Sequence, residues 1–348
     1  MDSLVPGSTI DVRSFHLTQA FFDGVYRVFK SPAILVGMYA VTLLSAVPLG
    51  LILKNAIATH LGQSVAAETV ANGISWQWWE EFSAQANGFE QTFSPVIIGF
   101  GAVLNNLSML LDNQGTQSTL VLVITGYLII WGFLVGGILD RFARGHRVSS
   151  SGFFAACGTN FFRFCRLALL VGLAYWILFN YVHSWLFDDL YSMATRNLTV
   201  ERTDFLVRII LYVVFGMLLI LVNIVADYAK IRVVVEDRRS MIGALMAATR
   251  FVYRQRTKVF VLYLLNGLFF ISVLGVYAIA STSVGPENTS MWIALLVGQA
   301  YVIARLFAKL TFYASQISYF QSQLAHSNYL TARKPVWPES PAAEAIAN

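Results

Sequence analysis

Residues 206–226 read LVRIILYVVFGMLLILVNIVA, an apolar run with a single charged side chain, Arg208. A helix of about 20 residues is long enough to cross the hydrocarbon core of a bilayer. Five further apolar stretches of similar length occur at 33–53, 118–139, 167–186, 259–280 and 291–313. The six stretches predict an all-α fold, a polytopic transmembrane helical bundle with six spans.

The composition supports this fold class. Hydrophobic residues make up 57% of the chain and charged residues only 12%, whereas an ordinary soluble domain carries about 25% charged residues. The two cysteines, Cys157 and Cys165, are eight positions apart on a predicted helix and favour packing roles over a redox pair. The composition therefore argues against a soluble globular protein.

The basic residues are unevenly divided between the two sides of this map. Of the 24 Lys and Arg residues, 20 lie on the same side as both termini. This count places the cations of the last stretch on the C-terminal side. Because Lys and Arg resist translocation, this side is predicted to be cytoplasmic, in the inner membrane of a bacterium. A basic rim facing anionic headgroups explains the net charge of +5 with membrane lipids, and not nucleic acid, as partners.

The chain divides into a membrane domain and a tail. Residues 1–324 form the predicted six-span membrane domain, with one large outer loop at 54–117. The segment 94–113 of this loop has helical spacing, which predicts an amphipathic helix on the outer leaflet or over the bundle; a re-entrant element is the alternative. Residues 325–348 contain three prolines and predict a disordered cytoplasmic tail, or a docking peptide for a protein partner.

A repeat precedes the first, third and fifth spans. Its copies are AFFDGVYR at 20–27, ACGTNFFR at 156–163 and AATRFVYR at 247–254. Seven residues are nearly two helical turns, so the Ala and the Arg of each copy share a helix face. We expect Arg27, Arg163 and Arg254 to be lipid-facing basic junctions that reach phosphates. The repeat predicts three helical hairpins, each introduced by an interfacial helix, one of them at 241–253.

The same residues carry a resemblance to known families. Besides the repeat, an Asp with Ala two or three residues later follows an even-numbered span, as in DYAKIRVVVEDRRSMIGALMAATRFVYR at 227–254. In these features, over most of residues 15–320, the chain resembles bacterial six-helix inner-membrane families, including the membrane domain attached to some glycerophosphodiester phosphodiesterases. The resemblance implies a six-helix architecture and carries over no catalytic residue.

Polar side chains inside the apolar stretches are the candidate functional residues. Burying them is costly, so each needs a partner or a wet cavity. Their functional interpretation is a site for a substrate or a lipid headgroup. The alternative is interhelical packing, with Arg305 paired to Asp227 or Asp140. The set consists of Asn223, Asp227, Asn266, Gln299 and Arg305.

The sequence favours a non-enzymatic integral membrane protein that organises or binds lipid or partner proteins, or forms a homo-oligomer. The five histidines lack the spacing of metal ligands, no nucleophile motif or phosphate loop occurs, and no metal or cofactor is expected. One alternative is a small-molecule or lipid transporter, or a permease subunit. Another is an enzyme acting on lipid headgroups, which requires Asp140, Asp227 and His146 to converge.

The predicted topology can be tested by labelling single cysteines. A cysteine in the loop 54–117 should react with an impermeant thiol reagent in intact cells. A cysteine beside Arg239 should react only after permeabilisation, because the basic side is predicted to be cytoplasmic. The opposite pattern would overturn the argument from charge.

Overall fold

A computed structural model describes residues 17–71, 75–93, 100–115, 118–146, 148–197, 200–282 and 291–331. Within these ranges the chain is helical and forms no β-strand. The α-helices are α1 (Leu17–Phe29), α2 (Pro32–Leu61), α3 (Ala67–Ala71), α4 (Trp76–Gln85), α5 (Phe100–Leu111), α6 (Ser118–Arg144), α7 (Ser150–Ile177), α8 (Tyr191–Thr195), α9 (Glu201–Val235), α10 (Met241–Arg254), α11 (Arg256–Thr282) and α12 (Met291–Thr331).

Six helices are long and apolar enough to cross a membrane: α2, α6, α7 with its continuation to Thr195, α9, α11 and α12. The prediction of an all-α, multi-pass membrane protein is thereby confirmed. The continuation of α7 passes through two π-helical segments, Leu178–Val182 and Trp185–Leu190. Helix α12 extends to Thr331, past residue 325, and the division of the chain into a membrane domain and a tail stays a prediction. Residues 332–348 lie outside the described ranges.

Serine residues start several of these helices. The Ser149 hydroxyl accepts a hydrogen bond of 3.2 Å from the Gly152 amide at the start of α7. Ser240 accepts one of the same length from Gly243 at the start of α10. Both bonds satisfy an amide that has no partner within its own helix. These capping serines therefore mark where α7 and α10 begin.

The helices that carry the repeat pack in a cyclic pattern. Helix α1 packs along α12, the first turns of α7 pack along α6, and α10 packs along α9. The second and third repeat copies thus each lie against the apolar helix that precedes them in the chain. The first copy lies against the last helix, α12. This arrangement joins the two ends of the described chain.

Small residues allow these helices to approach one another closely. A methyl group on Gly24 of α1 would lie 2.6 Å from the backbone nitrogen of Ser315 on α12. A methyl group on Gly137 of α6 would lie 2.6 Å from the Sγ atom of Cys157 on α7. On α10, Ala244 and Ala248 are fully buried. In a membrane the hydrophobic effect does not drive apolar helices together, so close packing contacts of this kind stabilise their association.

The core lies where the C-terminal parts of α6, α9 and α12 meet α1, α7 and α10; we call this the packed end. Its fully buried aromatic residues are Phe142, Tyr228, Tyr319 and Phe320. The ring of Phe251 on α10 lies 5.1 Å from that of Tyr228 and 5.2 Å from that of Phe320. Interdigitated aromatic rings therefore fix α10 to both α9 and α12.

The long connection between α2 and α6 has a small core of its own. Trp78 and Phe82 of α4 are buried, and the Trp78 indole donates a hydrogen bond of 3.1 Å to His60. Helix α5 covers part of the amphipathic segment expected at 94–113 and contacts α9 and α11. Residues 94–99 lie outside the described ranges.

The contact between α1 and α12 predicts the effect of one added methyl group. Gly24→Ala forces the α12 backbone to shift, and overpacking of this kind costs about 1–3 kcal/mol. We therefore expect the thermal unfolding midpoint of the solubilised protein to fall by several degrees. Gly158→Ala on α7 is the control, because a methyl group there meets nothing within 4 Å. Equal midpoints for the two variants would contradict the close contact.

Candidate functional site

An ion pair lies near the C-terminal end of α9. The Lys230 Nζ atom is 2.7 Å from an oxygen of Asp227, one turn earlier on the same helix. Both side chains are largely enclosed, with exposed fractions of 27% for Lys230 and 13% for Asp227. The Lys230 Nζ atom also lies 5.8 Å from the ring centre of Tyr313 on α12. The pair therefore faces the interior of the helical bundle.

A second lysine approaches this group from α12. The Lys309 Nζ atom lies 3.3 Å above the ring centre of Trp131 on α6. The Trp131 indole donates a hydrogen bond of 3.4 Å to the Tyr313 hydroxyl. Two aromatic rings thus connect Lys309 to the Asp227–Lys230 pair. Attraction between a cation and an indole face is favourable, and more so away from water.

Arg305 adds a third cation one turn before Lys309 on α12. Within the described ranges, neither Arg305 nor Lys309 forms an ion pair or a hydrogen bond. Four residues apart on α12, the two cations lie on one face of the helix. We define the cationic cluster as Asp227, Lys230, Arg305 and Lys309, with Trp131 and Tyr313. The cluster holds three cations and one carboxylate, and Arg305 and Lys309 are exposed on the surface of α12. Cations exposed within an apolar span are costly beside hydrocarbon, and an anion would offset their charge.

The other polar residues selected from the sequence lie elsewhere. The Asn266 amide is fully buried and donates a hydrogen bond of 3.0 Å to Ser315, which links α11 to α12. Gln299 accepts a bond of 2.8 Å from the Tyr39 hydroxyl and links α12 to α2. Asn223 is exposed and donates a bond of 3.4 Å to Tyr263. Asn266 and Gln299 therefore lie outside the cationic cluster, and Asn223 lies one turn before Asp227 on α9. Arg305 belongs to the cluster through its place one turn before Lys309 on α12.

The expected ion pairs of Arg305 are not formed. Asp227 binds Lys230, and Asp140 binds Arg144 at 2.8 Å. Pairs three or four residues apart on one helix need no contact between helices, which explains why each carboxylate is paired locally. Lys309 was overlooked as a site residue, although its spacing of four residues from Arg305 within an apolar stretch is a signal that the sequence contains.

Two of the three basic junctions differ from the expectation. The Arg27 guanidinium binds Asp23 at 2.8 Å, the Phe142 carbonyl at 2.7 Å and the Gln321 side chain at 3.0 Å. These contacts hold α1 against α6 and α12. The expectation that Arg27 faces lipid is therefore corrected, because helix-end acceptors within the protein satisfy its donors.

Arg163 and Arg254 behave differently from each other. The Arg163 guanidinium binds Asp237, in the turn between α9 and α10, at 2.6 Å, so it too is directed to protein. Arg254 is exposed, and its contact with lipid stays a prediction. In all three copies the aromatic residue directly before the arginine is exposed: 55% for Tyr26, 70% for Phe162 and 73% for Tyr253. The aromatic side chain is thus the outward-facing member of each junction.

The described residues also bear on metal and acid–base chemistry. Among them, no group of three or more His, Cys, Asp or Glu residues is placed to hold a metal ion. Asp140 and Asp227 are each engaged with a basic residue on their own helix. Both carboxylates named for a lipid-headgroup enzyme are therefore engaged in local ion pairs.

The Arg163–Asp237 contact predicts a dependence of stability on pH. The hydrogen bond from Arg163 lowers the pKa of the Asp237 carboxyl below its ordinary value. A carboxyl with a lowered pKa in the folded state stabilises the fold above the pKa of the unfolded chain, and this contribution disappears as the pH falls through the folded-state value. We expect the unfolding midpoint of Asp237→Asn to lie below that of the wild type near neutral pH, with the gap closing in acid.

Asn suits this test because Asp237 has a φ of 47°, a conformation that Asn also tolerates. Asp188→Asn, at an exposed position, is the control. A gap between wild type and Asp237→Asn that is unchanged from neutral to acid pH would contradict the ion pair.

Comparisons with known proteins found no relative of this chain. No protein-family model, curated protein or solved structure matches the chain. The resemblance to six-helix inner-membrane families therefore stays a prediction from the sequence. The cationic cluster and the arrangement of the six apolar helices are the features of the molecule that bear on function.

Proposed function

We propose that this chain is an integral protein of the bacterial inner membrane, with both termini in the cytoplasm and six spans, of which α7 with α9 and α11 with α12 form packed hairpins. In this proposal, α1, the first turns of α7 and α10 lie in the interface on the cytoplasmic side. Support comes from the exposed aromatic residue in each repeat copy, since aromatic side chains favour the membrane–water boundary. The uneven division of Lys and Arg supports the orientation.

Within this arrangement, the protein is a non-enzymatic membrane protein that binds the headgroup of an anionic lipid at the cationic cluster. The observation that carries the proposal is the pair of cations on α12, Arg305 and Lys309, neither of which has a carboxylate partner in the described ranges. A phosphate group would supply the missing negative charge. Lysine and arginine both bind phosphate, arginine with two parallel hydrogen bonds.

The depth of the cluster fits a lipid headgroup. Lys309 lies 18 residues after Met291, where α12 begins, or about 27 Å along a straight helix. The hydrocarbon core is about 30 Å thick. If α12 starts at one membrane surface, Lys309 lies close to the phosphates of the opposite leaflet. Its ammonium group can then reach a headgroup without leaving the bundle.

Transport of a small molecule or lipid is the second candidate. The exposed Arg305 within a span favours it, because a cation at that depth suits an anion that passes through the membrane. The contacts of Asn266 and Gln299 weaken it, because each of these residues links two neighbouring helices. Uptake of an anion by vesicles that contain the protein, with loss of uptake in Arg305→Gln, would support transport over simple binding.

Titration with lipids tests the leading proposal. The purified protein in mild detergent is mixed with phosphatidylglycerol or phosphatidylcholine, and bound lipid is counted by native mass spectrometry. Removing a hydrogen bond to a charged group costs about 1.5–3 kcal/mol, so Lys309→Gln and Arg305→Gln should each weaken binding of phosphatidylglycerol at least about tenfold. Phosphatidylcholine should bind weakly to all variants.

Lys258→Gln is the matched control. Lys258 is an exposed cation in the first turn of α11, and its loss should change binding less than about twofold. Unfolding midpoints show whether each variant is folded. Equal binding of the two lipids, or unchanged binding by Lys309→Gln, would contradict the proposal. A protein partner or a homo-oligomer in fixed ratio, with no retained lipid, would favour an organising role instead.

A further inference from the structure

The first pair of apolar helices differs from the other two pairs. Helix α7 packs along α9, and α11 packs along α12. Helix α2 instead packs against α12 and does not pack along α6, its partner in the predicted hairpin. Met38 is the only buried residue among those described on α2. A gap therefore separates α2 from α6 near the packed end.

This gap is a crevice with a volume of about 580 Å³, within the range of about 300–1,000 Å³ for pockets that hold small ligands. Its walls come from the start of α2, the C-terminal half of α6 and the start of α7. Most of the lining is apolar, formed by side chains that include Ile34, Met38, Leu134, Phe153 and Phe154. A hydrocarbon chain suits these walls.

Polar groups lie at one end of the crevice, next to the short link between α1 and α2. Lys30 and Arg141 line it, and both carry positive charge. The Lys30 side chain is exposed, with its Nζ atom 4.3 Å from the ring centre of Tyr26. Ser150, in the first turn of α7, lines the same end. The N-terminus of a helix adds partial positive charge to this group.

Ser31 provides an independent indication of a ligand. Its side chain lines the crevice and is only 6% exposed, and its Oγ atom is buried without a hydrogen-bond partner. A buried hydroxyl that lacks a partner costs about 1–3 kcal/mol, so such atoms are usually satisfied in the functional state. An acceptor oxygen placed between Lys30 and Arg141 would satisfy it.

We propose that the crevice between α2 and α6 binds one anionic phospholipid that enters sideways from the membrane. Its phosphate oxygens contact Lys30, Arg141 and the Ser31 hydroxyl, and an acyl chain lies along Met38 and Leu134. The inference goes beyond the proposed function, because the crevice shares no residue with the cationic cluster. The same polar end would suit a free phosphate, but the apolar walls favour a lipid.

The experiment uses protection of a cysteine in the crevice. Ser150→Cys is introduced together with Cys165→Ser, because Cys165 is exposed and the remaining Cys157 is fully buried. The rate of labelling by a thiol reagent is measured in detergent with phosphatidylglycerol, phosphatidylcholine or inorganic phosphate. Phosphatidylglycerol at about ten times its dissociation constant should slow labelling about tenfold, by mass action. Phosphatidylcholine and inorganic phosphate at the same concentrations should have little effect.

Two glycines of α2 provide a matched pair of variants. A methyl group on Gly37, which lines the crevice, or on Gly50, which does not, would meet nothing within 4 Å. Gly37→Leu fills the crevice and should abolish protection, whereas Gly50→Leu should preserve it. Lys30→Gln should weaken it at least about tenfold, the effect expected for a charged hydrogen bond. Unfolding midpoints show whether each variant is folded.

Three outcomes would overturn the inference: no protection by phosphatidylglycerol, protection that persists in folded Gly37→Leu, or equal protection by inorganic phosphate, which would assign the site to a soluble anion. Lys309→Gln separates this test from that of the proposed function, because it should leave protection at Ser150→Cys intact. Failure at one site thus does not imply failure at the other.

Discussion

The close approach of helix backbones at small residues is the contact on which the packed end depends. Gly24 brings α1 onto α12, Gly137 brings α6 onto α7, and Ala244 with Ala248 does the same for α10 on α9. In an apolar surrounding there is little hydrophobic gain from joining two apolar helices, so dispersion contacts between well-fitted surfaces have to supply the stability. Hydrogen bonds such as that from Arg27 to the Phe142 carbonyl add direction to these contacts.

The repeat in the sequence accounts for the three similar contacts between a short helix and a long apolar helix. A short helix with small residues on one face can pack closely along an apolar helix. Three copies give three such contacts, and the first copy takes the last helix. The first unit departs from the other two because 56 residues separate α2 from α6. A connection of that length does not force two helices to lie side by side, and the crevice occupies the resulting space.

The sequence predicts the fold better than it predicts the site. The apolar stretches at 206–226 and 259–280 lie within α9 and α11, since hydropathy marks the apolar part of a helix and not its capped ends. Whether an arginine turns outward or inward depends on partners such as Gln321, which is 294 positions from Arg27. No local pattern contains that information. The cationic cluster was found in part, through Asp227 and Arg305, because its aromatic members belong to helices whose order in the bundle the sequence does not specify.

The contact of α1 with α12 has a consequence for biosynthesis. A ribosome completes α1 before α12, so the face of α1 that carries Ala20 and Gly24 cannot pack on α12 while the intervening helices are made. In every intermediate made before α12, this face of α1 therefore remains uncovered. The contact between α1 and α12 forms only after α12 has been made, and a chain that terminates before α12 lacks it.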